Sequence, residues 1–198
     1  PQHADSFIGG FINLLFIVAA QYAGAVACPE TLTYFDHFLR KDYGEDYYKN
    51  LDAVVEYRKD GGLTLRERIE NWFAQLVYTI NQPAAARGNQ SIFFNIAYFD
   101  KFYFASIFED FIFPDGDEPC WESTQALQKM FMEWLNNERL KSVITFPVET
   151  VNLLVQDGED ADVETADWVA EMWAKGASFF CYQSDSVDSL SSCCRLRN

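Results

Sequence analysis

Two adjacent thiols near the end of the chain, Cys193 and Cys194, are the residues best suited to chemistry. Seven of the nine residues from Ser184 to Ser192 are Ser or Asp. Those types bond their own backbone and favour turns and exposed or ligand-lined loops over helix and sheet. Arg195 and Arg197 follow the thiols and bracket Leu196. Neighbouring guanidinium groups lower a thiol pKa and attract anions, so the pattern suits a sulfur poised beside an anionic ligand. The same composition also fits a surface loop with two ordinary cysteines, because spacing alone does not make a thiol reactive.

A second candidate is Arg87-Gly88-Asn89-Gln90-Ser91, leading into a run that contains Asn95. A glycine-containing turn before a strand lets backbone approach a ligand closely. Gln90, Ser91 and Asn95 are polar residues at the start of an apolar strand and need partners. A ribose or phosphate is one choice; each other or the backbone is the alternative. Glu149 and Asn152, in a later apolar run, could line the same space, since buried carboxylates pair with a cation or a ligand. Gln21 reads as a core residue satisfied locally, and His3 and His37 as structural. Asp185 and Asp188 look like turn formers.

The elements that must position these groups alternate. From Ser6 to Pro29 no residue is charged, and Phe7 to Cys28 is long enough to span a membrane. Gly9-Gly10, Asn13, Gln21 and Gly24 favour instead a buried core helix, capped at Asp5 or Ser6 and running through Ala27 to Cys28-Pro29. A second helix starts near Glu30-Thr31 and ends around Gly44. Tyr47 to Tyr57 reads as helical, broken by Gly61-Gly62. Thr64 and Glu67 form a capping box for a helix to Asn81. Ser91 to Phe99 reads as a buried strand, Lys101 to Phe113 is ambiguous, and Ser123 to Leu140 is a helix. Val143 to Val155 is a strand made awkward by Pro147, which lacks a ladder donor. Glu164 to Lys175 is a helix closed by Gly176, and Ala177 to Tyr182 is a short strand. Strands alternating with helices give an α/β fold with parallel crossovers.

The chain has 198 residues and a net charge of −15, enough for one domain and too acidic to favour a nucleic-acid backbone. Five cysteines without small-domain spacing point to a reducing compartment. No Cys-x-x-Cys pair is present, which argues against a structural zinc site in this segment. The first residue is not Met, and the chain stops just past the thiols, so residues 1–198 read as a single partial domain of a longer protein.

Three stretches resemble one family in order along the chain. They are Ala19-Ala20-Gln21-Tyr22-Ala23-Gly24-Ala25-Val26-Ala27, running on to Phe38-Leu39-Arg40-Lys41-Asp42-Tyr43-Gly44; Asn81-Gln82-Pro83-Ala84-Ala85-Ala86-Arg87-Gly88-Asn89-Gln90-Ser91; and Ser189-Leu190-Ser191-Ser192-Cys193-Cys194-Arg195-Leu196-Arg197-Asn198. They resemble the anaerobic (class III) ribonucleoside-triphosphate reductases, the last being similar to the finger loop.

The resemblance implies a ten-stranded α/β barrel, of which this chain would be most of the first half plus the finger loop. It implies reduction of ribonucleoside triphosphates by glycyl/thiyl radical chemistry, with Cys194 abstracting hydrogen because it directly precedes Arg195. Cys193 would shape the loop or act as a second thiol. Gln90, Ser91, Asn95, Ser192 and Arg195 become candidate substrate contacts. The glycyl radical and a C-terminal zinc site would lie on parts of the parent outside this segment. Expected partners are ATP and dNTP effectors, a radical-SAM activating enzyme and a second copy in a homodimer, in the cytoplasm, with no nucleic acid and no membrane. The reductant, formate or a dithiol (thioredoxin-type) protein, stays open. The isolated segment is expected to be inactive. A related glycyl-radical lyase and a catalytically silent nucleotide-binding or dimerisation module are the rivals.

Overall fold

Residues Phe94–Phe99, every one of them buried, form the strand around which the chain is built. The computed structural model describes residues 1–22, 24–59, 61–85, 88–188, 190–192 and 195–197, the last two by backbone alone. In order they give α1 (Ala4–Gln21), β1 (Val26–Ala27), α2 (Thr31–Tyr43), a 3-10 turn (Tyr47–Lys49), β2 (Val54–Arg58), β3 (Gly61–Thr64) and α3 (Leu65–Ile80). Then come β4 (Phe94–Phe99), α4 (Lys101–Phe108), α5 (Trp121–Lys141), β5 (Val148–Gln156), β6 (Glu159–Asp160), α6 (Val163–Ala174), β7 (Phe180–Ser184), β8 (Leu190–Ser192) and β9 (Arg195–Arg197).

Strands β1, β4, β5 and β7 lie side by side in that order, all parallel, with β6 turning back antiparallel on the end of β5. This is the mixed α/β architecture expected from the alternation. The apolar character of β4 follows from its place inside a parallel sheet, where both faces are covered.

One face of the sheet carries Phe94, Ile96, Tyr98, Val151 and Leu153, packed in one core with α1, α2, α3, α5 and α6. Phe73 sits edge-on to Phe131, with ring centroids 4.8 Å apart, and locks α3 to α5. A smaller cluster lies on the opposite face. There Ala97, Phe99 and Leu154 meet Tyr103, Phe104 and Phe108 of α4.

Several boundaries differ from expectation. Helix α1 stops at Gln21 rather than Ala27, and Val26–Ala27 is instead the edge strand β1. Its N-cap is His3, with the side chain of Ser6 reaching back, rather than Asp5 or Ser6. Nor is α1 buried all round. By length and composition it could cross a membrane, yet Phe7, Ile8, Phe11, Ile12 and Leu15 enter the core while Leu14 and Ile17 are more than half exposed. Gln21 is exposed, not a core residue.

The stretch 47–57 is not a helix. A single 3-10 turn is followed by β2, which pairs antiparallel with β3, so Gly61 and Gly62 belong to a strand. Pro147 precedes β5 instead of interrupting it, which removes its conflict with the ladder. The capping box at Thr64 and Glu67 is present as read: each side chain accepts from the other's backbone N–H.

Candidate functional site

Because successive side chains of a strand alternate faces, register decides which residues meet. Asn95 pairs with Val148, Ala97 with Thr150 and Phe99 with Asn152; Thr150 pairs with Phe180 and Asn152 with Tyr182. Asn95, Thr150, Asn152 and Tyr182 therefore share the face opposite α1, α2, α3, α5 and α6, the face on which α4 packs at one end. Glu149, paired with Ile96, points to the other side.

Asn95, Thr150 and Asn152 are at most 1% exposed. The Asn95 amide nitrogen donates to the Val148 carbonyl at 2.8 Å, while its Oδ1 is buried with no hydrogen-bond partner among the described residues. A buried acceptor left open is costly and is poised to take a donor such as a hydroxyl. The Thr150 hydroxyl donates to the Ile96 carbonyl at 3.3 Å. Small and polar residues thus replace the large apolar ones of the helix-covered face.

At the C-terminal ends of β4 and β5 a carboxylate ties three elements together. Asp100 accepts from the backbone N–H of Phe102 (2.9 Å) and Tyr103 (2.8 Å) at the start of α4, and from that of Leu154 (2.5 Å) in β5. Burial raises its pKa, and those three N–H groups oppose the rise. Gln128 of α5 accepts from Phe99 N–H at 2.8 Å and donates to the Phe99 carbonyl at 3.2 Å. The strand ends are fixed from both faces.

The chain leaves β7 through Ser186 and Val187. Val187 packs into the cluster of Ala97, Phe99 and Leu154, so this segment crosses the face that carries Asn95. Strand β8 then runs close to β4 and β5 and pairs antiparallel with β9, Ser192 opposite Arg195 and Leu190 opposite Arg197. A paired hairpin therefore stands where Ser/Asp content suggested only turns. Cys193 and Cys194 lie between its strands and outside the described residues, as does Arg87.

The remaining candidates disperse. Gln90 is exposed, its backbone bridged to Ala84. Ser91 donates its hydroxyl to the Asn81 carbonyl at 2.9 Å. Of that trio, Asn95 alone lies within a strand of the sheet. For Ser192 and Arg195 the backbone places both at the hairpin end.

Glu149 is bonded to Tyr98 and Arg139. Burial raises its pKa, with the Arg139 guanidinium opposing; its partners are protein groups on the helix side, so it does not share Asn152's surface. His3 bonds Asp42 at 2.8 Å and His37 bonds Asp117 at 2.8 Å, both as structural links. Asp188 does form a turn, accepting from the Ser186 hydroxyl at 2.8 Å. Burial pushes the Cys181 thiol up to about 11, which leaves it protonated and unreactive at neutral pH. Among the described residues no group of three His, Cys, Asp or Glu could hold a metal.

Sequence reasoning missed Thr150, Tyr182 and Asn81. The Asn81 amide donates to the carbonyls of Val77 and Phe146 and accepts from the N–H of Thr145 and Phe146, clipping the end of α3 to the entrance of β5. Thr150 was detectable as the alternate neighbour of Asn152; Asn81 carried no local signal.

The family model described as anaerobic ribonucleoside-triphosphate reductase matches residues 1–198. The chain belongs to that family. Among solved structures it is similar to the Thermotoga maritima anaerobic ribonucleotide reductase in complex with dATP and CTP. The identity is 32% and the TM-score 0.80, over 100% of this chain and 31% of that one. The same enzyme with dATP bound in the specificity site gives 32% identity and a TM-score of 0.80, over 95% of this chain and 30% of the other. A further structure titled anaerobic ribonucleotide reductase gives 31% and 0.79, over 95% and 28%. No curated protein sequence matches significantly. The chain thus spans less than a third of the solved reductases it matches, and the parallel sheet is common ground between this chain and the anaerobic reductases.

Proposed function

We propose that this chain is the substrate-facing first half of an anaerobic ribonucleoside-triphosphate reductase barrel together with its finger loop. Strands β1, β4, β5 and β7 belong to one five-stranded half of a ten-stranded barrel, and the face bearing Asn95, Thr150, Asn152 and Tyr182 looks into its interior. The β8–β9 hairpin, whose strands flank Cys193 and Cys194 in sequence, is the finger loop, and β8 runs beside β4 and β5. The reading is carried by the match of the whole chain to the family, and the placement of a buried polar face beside the hairpin supports it.

The glycyl radical of the parent, on a segment outside this chain, supplies one-electron oxidation of a cysteine thiol. Cys194 then holds a thiyl sulfur, which takes the 3′ hydrogen of the ribose: an S–H bond forms as the C3′–H bond breaks, leaving the unpaired electron on carbon. The 2′ hydroxyl takes up a proton and leaves as water. Formate, leaving as carbon dioxide, or a dithiol protein, leaving as the disulfide, supplies two electrons that with a second proton put hydrogen at C2′. The S–H then returns its hydrogen to C3′, restoring the thiyl. A closed, dry site protects such radicals from side reactions. The open acceptor of Asn95 takes a ribose hydroxyl, and Ser192 and Arg195 at the hairpin end orient the nucleotide with Gln90 and Ser91 at the rim. The solved Thermotoga complexes contain dATP and CTP; the parent of this chain is accordingly read as taking ribonucleoside triphosphates as substrates and ATP or dNTPs as effectors. It would act as a cytoplasmic homodimer activated by a radical-SAM partner, with α1 a core helix and not a membrane span, so that the parent stays soluble on fractionation.

The test uses the activated full-length parent under strict anaerobiosis. Cys194→Ser retains size but not sulfur. The glycyl EPR signal should persist while deoxynucleotide formation falls to background, and Cys193→Ser should keep measurable turnover. Product from Cys194→Ser with Cys193→Ser inactive would move the radical to Cys193. Product from both would sink the finger-loop reading.

A further inference from the structure

The root of the hairpin is tied down by one buried phenol. Tyr103, 1% exposed, donates its hydroxyl to the Ser186 carbonyl at 3.1 Å and also bonds the Ser184 side chain. Its own backbone N–H is held by Asp100 at 2.8 Å, and Asp100 in turn grips Leu154 of β5 at 2.5 Å. Beyond the tether the chain is knotted locally: the Ser186 hydroxyl donates to Asp188 at 2.8 Å and accepts from the Asp188 N–H at 3.1 Å. Val187 is seated among the same apolar side chains that hold the Tyr103 ring. Leu190, where β8 begins, follows shortly after. An unbroken path of bonds therefore runs from the ends of β4 and β5, through Asp100 and Tyr103, to the segment from which the hairpin rises.

We propose that Tyr103 is a positioning residue for the hairpin: its hydroxyl sets where β8 rises beside β4 and β5. It acts through the hairpin. The proposal rests on the reading of the hairpin as a finger loop, and its consequence is a loss of rate without a loss of substrate binding. Misplacing a reacting group by about 1 Å costs on the order of 100-fold in rate, and loss of one of several tethers should cost less.

The test is Tyr103→Phe in the activated full-length parent, with Tyr98→Phe as the comparison. Phe keeps the ring packing at both positions and removes only the hydroxyl. For Tyr103→Phe, turnover per glycyl radical should fall about tenfold, with the glycyl EPR signal and KM within twofold of the parent. Iodoacetamide labelling of Cys193 and Cys194 in the resting anaerobic enzyme should change in rate relative to Cys120 of the same molecule. Tyr98→Phe loses a bond on the opposite face and should lower the unfolding temperature while leaving turnover per radical and labelling unchanged. Unchanged turnover and labelling in Tyr103→Phe would overturn the proposal, as would a fall in turnover with unaltered labelling. Should the parent itself make no deoxynucleotide, the finger-loop reading fails, while the labelling ratio alone still decides whether Tyr103 sets the hairpin.

Discussion

The two faces of strands β4 and β5 are built from the same stretches of chain and are opposites in chemistry. Toward the helices stand Phe94, Ile96, Tyr98, Val151 and Leu153, and the one charge among them, Glu149, is bonded by both Tyr98 and Arg139. Toward the hairpin stand Asn95, Ala97, Thr150 and Asn152, with an Asn95 oxygen open. Burial is equally deep on both sides, so burial alone does not distinguish a core from a site. The distinction lies in what is buried: on one side a carboxylate held by Tyr98 and Arg139, on the other an asparagine oxygen with no partner among the described residues.

The largest expected effect tests the matched side. Glu149→Ala takes the carboxylate away from the buried Tyr98 hydroxyl and from the part-buried Arg139 guanidinium. Arg139 keeps the carbonyls of Pro147 and Ser178, and the change should cost about 3 kcal/mol in urea unfolding. Replacing both, Glu149→Leu with Arg139→Met, should recover most of that loss. If the single change costs under about 1 kcal/mol, the pair is not the keystone of its face.

Next comes pH. Asp36 of α2 is buried and accepts from Tyr47 (2.7 Å), Ser123 (2.7 Å) and Arg40 (3.1 Å). Burial dominates over those donors and raises its pKa from 3.8 to about 6. Between those values the folded state binds more protons than the unfolded state. Asp36's contribution to stability is therefore complete below the unfolded pKa and is lost as pH rises through the folded one. Thermal unfolding from pH 4 to 7 should show that decline in the parent sequence, and Asp36→Asn should flatten it. An unchanged slope would mean that the network holds Asp36 ionised throughout.

On the hairpin side, Asn95→Ala removes the bond to Val148 and should cost only about 1 kcal/mol of stability. In the parent enzyme it should raise KM about tenfold, the worth of roughly 1.4 kcal/mol. A stability loss as large as that of Glu149→Ala, with KM unmoved, would erase the difference between the faces. Smallest is Thr64→Ala, far from both, which removes one side of the α3 capping box at a cost of about 1 kcal/mol and should leave turnover unchanged.

What could be read in advance follows the range of the forces involved. The α3 cap was legible because Thr64 and Glu67 are three residues apart and satisfy each other. β4 and α5 were legible because their apolar runs are long. β1 was not, since Val26 and Ala27 continue the apolar run of α1 with no change of composition, and only pairing with Phe94 and Asn95 makes them a strand. The β2–β3 hairpin was misread because its alternation, Val55-Glu56-Tyr57-Arg58, lasts only four residues and β3 opens on Gly61-Gly62. Asn95 was found as a polar interruption, yet its separation from Gln90 and Ser91 depends on Ser91 being drawn to Asn81. Glu149 and Asn152, three positions apart in β5, fall on opposite faces by alternation alone, and the register adds which of them shares a face with Asn95. Tyr103 looked like one more aromatic residue because its partner, Ser186, is remote in sequence.

The order of strands across the sheet has a consequence in time. Residue 26 must find residue 94, and residue 95 must find residue 148, so each parallel pairing waits on the closure of a long loop. Such closures are entropically unfavourable and slow a fold dominated by distant contacts. The β8–β9 hairpin needs only its immediate neighbours. By that measure the helices and the β8–β9 hairpin are the quickly formed elements, and the pairings of β1 with β4 and of β4 with β5 are the slow ones. The floor that carries Asn95 is thereby the part of the molecule that local structure alone does not supply.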